Sequence, residues 1–155
     1  MDEILNSAQQ RSLRTILRIF EEDLLTAQAW VDGKEQTGAL FRRTLELSPE
    51  KNAVIQAALN QAFEALKKIA CQFNITRQEE SAAMLLAGRM NEDWANLIDA
   101  QANKLKGFGP VNPHLADILD PPILQLADSA YHLGRLFQQV SGSFRPDVEP
   151  GSEEE

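Results

Sequence analysis

The stretch from Ser48 to Phe73 constrains the fold more than any other part of the chain. Apolar residues recur at Ile55, Ala58, Leu59, Ala62, Phe63, Leu66, Ile69, Ala70 and Phe73. Steps of three and four residues place them on one helical stripe. Ser48 suits an N-cap, and Pro49 suits the first helical position, where its missing N–H was unpaired anyway. A helix of roughly 25 residues is about 37 Å long at the standard rise. Such a stripe cannot be hidden by its own helix, so partner helices of similar length are required.

The rest of the sequence offers three. The first helix is expected over 4–31, beginning near Ile4 or Asn6, with Leu13, Ile16, Leu17, Phe20, Leu24, Ala27 and Val31 as its stripe. Ile19, Leu25 and Trp30 lie off that line, which implies wide burial or a second contact surface. The two glycines of Asp32–Gly38 end this helix. The segment 39–47 fits either a short helix or an extended crossover. A third helix is expected over 77–106, opened by Thr76 and Glu79 at capping-box spacing. Gly88 and Asn91 could break it, and Gly107, Gly109 and Pro110 stop it. After a short turn at 114–119, Asp120-Pro121 should cap a fourth helix over 121–141, with Gly142 just past its end. No strand pattern and no repeat is visible. The expected fold is all-α: an antiparallel bundle of four main helices in one domain, 1–142, followed by a disordered acidic tail, 143–155.

Composition narrows the functional classes. The formal net charge of the 155 residues is −8, of which −4 falls in the last twelve, where five acids oppose Arg145. An acidic chain repels a phosphate backbone, which disfavours nucleic acid. No apolar run reaches the ~18 residues of a membrane span. Met1-Asp2-Glu3-Ile4 is acidic where a signal peptide would be basic, and Cys71 has no second cysteine to pair with. A cytoplasmic location is therefore expected.

No catalytic constellation emerges. His114 with Asp117, and Asp128 with His132, each share a helix face, but neither has the further ligands that a zinc or di-metal site needs. Cys71, between Ala70 and Phe73, reads as a small buried apolar residue, although Lys67 and Lys68 lie one turn away. Phosphate-binding and nucleophile-elbow motifs are absent. No enzyme activity, metal or cofactor is expected.

What remains is surface and packing. Arg11, Arg14 and Arg18 share one face of the first helix, and Arg42 and Arg43 flank Phe41. Together they form a candidate anion-binding or partner-binding face if folding unites them. The plainer reading is a solvated face with an Arg18–Glu22 pair. Gly134 costs a helix about 1 kcal/mol relative to alanine. Close approach of a neighbouring helix explains it better than a ligand gap bounded by Trp94, Tyr131 and Phe137. A helix-turn-helix over 76–97 would place Glu92 and Asp93 against DNA, which is unfavourable. The leading expectation is a non-enzymatic bundle that associates with proteins as an adaptor, small subunit or regulatory partner, including as a homodimer. A nucleic-acid-binding subunit and a small-molecule sensor are the alternatives.

Overall fold

A computed structural model describes residues 4–142; the expected acidic tail, 143–155, lies outside them. The described chain is helical apart from one small hairpin. Its elements are α1 (Ser7–Val31), β1 (Gln36–Thr37), β2 (Arg42–Arg43), α2 (Pro49–Gln72), α3 (Ala82–Ile98), α4 (Ala102–Leu105), a 3₁₀ turn (Lys106–Phe108) and α5 (Leu115–Ser141). The described residues divide into two compact units, one on each side of the Arg77–Gln78 boundary.

In the first unit, α1 and α2 form a helical hairpin whose ends are closed by local chemistry. Asn6 and Gln9 cap α1 reciprocally: each side-chain oxygen accepts the other's backbone N–H at 2.9 Å. The Ser48 hydroxyl accepts from the Lys51 N–H, with Pro49 in the first turn. Both C-termini close by the same device. Lys34 N–H donates to Ala29 O and Gly33 N–H to Trp30 O, with Gly33 at φ +95°; Ile75 N–H donates to Ala70 O and Asn74 N–H to Cys71 O, with Asn74 at φ +53°. These paired bonds satisfy carbonyls that a helix end leaves open, and they need a left-handed residue that glycine or asparagine supplies most easily.

The core of this hairpin is Leu24, Leu59 and Leu66, packed against Ala27, Val31, Ile55, Ala62 and Phe63. Leu17, Leu24 and Val31, like Leu59, Leu66 and Phe73, recur every seven residues, the repeat of a coiled-coil seam. Two polar links fix the register. Gln28 and Gln56 exchange amide hydrogen bonds at 2.8 and 2.9 Å, and Gln10 Nε2 donates to Phe73 O. The hairpin is therefore antiparallel, with Ile16 level with Ile69, Phe20 with Ala65, Asp23 with Gln61, and Trp30 with Val54.

The linker corrects the strand-free expectation. Gln36 pairs with Arg43 and Thr37 with Arg42 in an antiparallel ladder, and Gly38 N–H donates to Phe41 O at 2.9 Å. Of the two readings of 39–47, the extended one is nearer. Arg43 lies 5.9 Å from the Trp30 ring centroid and 5.1 Å from that of Phe41, which seats the hairpin on the C-terminal end of α1.

In the second unit, α3 packs on α5 through small residues: Ala87, Ala127, Ala130 and Gly134 are buried, Ala127 at 1% exposure. Three expectations here need correction. The third helix starts at Ala82, because the Ser81 hydroxyl accepts the Met84 N–H; Thr76 and Glu79 do not cap it, and Thr76 O accepts from Arg14 instead. The helix runs unbroken past Gly88 and Asn91 and stops at Ile98, so 77–106 is not one helix. The fourth helix begins at Leu115 rather than Pro121, and passes through both prolines. Asp120 caps α4 rather than its own helix: its Oδ1 accepts the Ala102 N–H at 2.8 Å. A first-turn donor of a four-residue helix is thus satisfied from the neighbouring helix, which outweighs the local start signal at Asp120-Pro121.

Candidate functional site

The candidate residues fall into three places. Arg14 is half-buried and donates to Thr76 O at 3.1 Å, close to the N-terminal end of α1. Arg18 pairs with Glu22 at 3.5 Å, and Arg11 is exposed. Arg42 pairs with Glu35 at 3.6 Å, while Arg43 bonds Gln36 and stacks on Trp30. Arg11, Arg14 and Arg18 lie in the N-terminal half of α1, whereas Arg43 sits beside Trp30, about 18 Å beyond Arg18 along the helix. They are not one surface.

The space beside Gly134 is taken by α3. A Cβ at position 134 would meet Asn91 Oδ1 at 3.3 Å and Met90 Cβ at 3.4 Å. The glycine serves close approach of two helices, as its cost in a helix requires. Trp94 and Tyr131 are exposed and Phe137 is half-buried. The open groove of the first unit lies elsewhere, along α2, lined by Leu47, Pro49, Asn52, Ala53, Gln56, Ala57 and Asn60.

Groups that could do covalent or metal chemistry are scattered. Among the described residues, no three His, Cys, Asp or Glu side chains gather as a metal would require. His114 and His132 are exposed. Cys71 is exposed as well, contrary to the buried reading, because the seam passes through Ala70 and Phe73 and leaves Cys71 on the outer side.

The feature that does concentrate is apolar surface. Among the described residues no large side chain is fully buried, and many large apolar ones are exposed. In the first unit their positions are ordered. At about 100° per residue, Ile16, Ile19 and Trp30 turn to one side of the Leu24 seam, while Arg14, Arg18 and Leu25 turn to the other. The same construction on α2 sends Val54, Ala58, Ala65 and Ile69 to one side and Gln56, Asn60 and Lys67 to the other. For antiparallel right-handed helices in the register given above, the two apolar sets share one broad face of the hairpin. Ile16 is 61% exposed, Val54 69%, and Phe20 and Ile69 border the same face. The opposite face carries Arg14, Arg18 and the Gln28–Gln56 pair.

This face was only half visible in the sequence. Ile19 and Trp30 stood off the stripe of α1, which pointed to a second surface. Ile16, Phe20, Ala58 and Ile69 were assigned to the inward stripes, however, and the register turns them outward. In the second unit, Leu126, Leu133 and Val140 are likewise exposed along α5. No described helix is long and apolar enough to cross a membrane. No protein-family model matches the chain, and no curated protein and no solved structure is significantly similar to it.

Proposed function

We propose that this chain is a non-enzymatic helical protein that works by protein association, as an adaptor, small subunit or regulatory partner, self-association included. The observation that supports this reading is the ordered apolar face of the α1–α2 hairpin, with Ile16, Ile19, Phe20, Val54 and Ile69 all exposed. Single exposed apolar residues are ordinary on protein surfaces. A contiguous set on one face marks an interaction surface. A two-helix hairpin with three buried leucines also has little core of its own, so covering this face contributes stability as well as specificity.

Size-exclusion chromatography with light scattering, combined with affinity capture on the full chain, tests the reading. The expected result is an assembly larger than one chain, or a stoichiometric protein partner whose capture is lost when Ile16 and Val54 become glutamate. A strict monomer with no partner affected by those changes would overturn it.

A further inference from the structure

We infer that α5 has two alternative starts and that Asp120 is the switch between them, a conformational device independent of the association proposed above. In the structure α5 begins at Leu115, and Asp120 Oδ1 accepts the Ala102 N–H at 2.8 Å, which ties α4 to this long helix. In the alternative form α5 begins at Pro121. The same carboxylate then caps its own helix by accepting the Ile123 N–H, and α4 loses its cap. The two states exclude one another. Asp120 must be helical in the long form and extended, as an N-cap, in the short one. The Ile123 N–H is likewise committed to the carbonyl four residues back while the long helix persists.

Three observations place the two forms close in free energy. Pro121 and Pro122 lie inside the long helix. Neither has an N–H, so the Asp117 and Ile118 carbonyls lack helical donors. In a helix that starts at Pro121 the same prolines fill the first two positions, where an N–H has no helical partner anyway. The long form is also weakly begun, because His114 at its N-cap makes no side-chain bond to the first turn. Finally, among residues 99–119, all of them described, Ala102 is the one buried side chain, and Ile118 is 72% exposed. Little besides the Asp120–Ala102 link and a turn and a half of backbone bonds therefore holds 115–119 helical. Its release frees 99–119 as a strap. Since α4 packs on α5, the surface beneath it is accessible in the short form alone, and the populations of the two forms set that access.

Amide hydrogen exchange followed by NMR on the full chain tests the switch. The Ala102, Leu119 and Asp120 amides are bonded in the long form and freed together in the short one. They should share one protection factor, at least about tenfold below that of the amides at 127–134 in the middle of α5. The double change Pro121→Ala, Pro122→Ala restores both helical bonds and deletes the second start. It should slow the three amides about tenfold or more relative to 127–134. Ile118→Gly weakens the long form alone, at an exposed position, and should speed exchange at Ala102 about threefold. Protection of the three amides equal to that of 127–134 would overturn the inference. So would exchange of Ala102 separately from Leu119 and Asp120, or an Ala102 rate that either variant leaves unchanged.

Discussion

The two hairpins solve the same problem with opposite materials. Between α1 and α2 the seam is built of leucines, spaced by sevens and held in register by a reciprocal glutamine pair. Between α3 and α5 it is built of alanines and Gly134, whose missing side chain leaves no space unfilled. Large residues interdigitate and keep their backbones apart, so the apolar gain comes from side-chain burial. Small residues offer little area, and the gain comes from close contact along the backbone. The difference predicts that the leucine hairpin is sensitive to removed atoms and the alanine hairpin to added ones.

Five substitutions probe that contrast, from the largest effect to the smallest. Leu59→Ala removes the centre of the leucine seam, where the side chain is only 7% exposed, and should cost about 3 kcal/mol in urea unfolding followed by circular dichroism. Ala127→Leu adds three carbons where no room exists, and should cost about 2 kcal/mol in the same assay. If Ala127→Leu proved neutral, the close-packed account of the second hairpin would fail. Asp120→Ala removes the cap on α4 and should cost about 1 kcal/mol, with faster hydrogen exchange at the Ala102 amide as its local signature. The two internal helical glycines give the finest comparison. Gly88→Ala meets nothing within 4 Å, and should stabilise by about 0.5–1 kcal/mol through helix propensity. Gly134→Ala must push against Asn91 and Met90, and should gain measurably less. Equal gains at both positions would mean that α3 does not press on Gly134.

How much of this was legible beforehand depends on whether the determining contact is local. Ser48 and Pro49 act within one turn, and α2 begins where they indicate. Gly134 was readable because a helix bears its cost only for a reason that packing usually supplies. The start of α3 was not readable from spacing alone. Thr76 and Ser81 are both competent caps, and the choice between them leaves the Thr76 carbonyl to Arg14, sixty-two residues earlier in the sequence. Asp120-Pro121 misled for a similar reason: the strongest local start signal lies inside α5, and its carboxylate serves another helix. Strands of two residues are too short to imprint a periodicity, so β1 and β2 left no trace. The candidate site was the least legible part. Which residues of a wide stripe turn inward is decided by register, and the register comes from Gln28, Gln56 and Gln10, polar residues that a search for apolar periodicity passes over.

The comparison also bears on the proposed function, because the leucine seam has beside it an exposed apolar face that association would cover. The sharpest test is sedimentation of the doubly substituted Ile16→Glu, Phe20→Glu chain alongside the unaltered one, with helicity measured on both. Association through the α1–α2 face predicts that the substituted chain keeps its helical content and loses its assembly or partner. Collapse of helicity, or an assembly indifferent to two carboxylates on that exposed face, would contradict it.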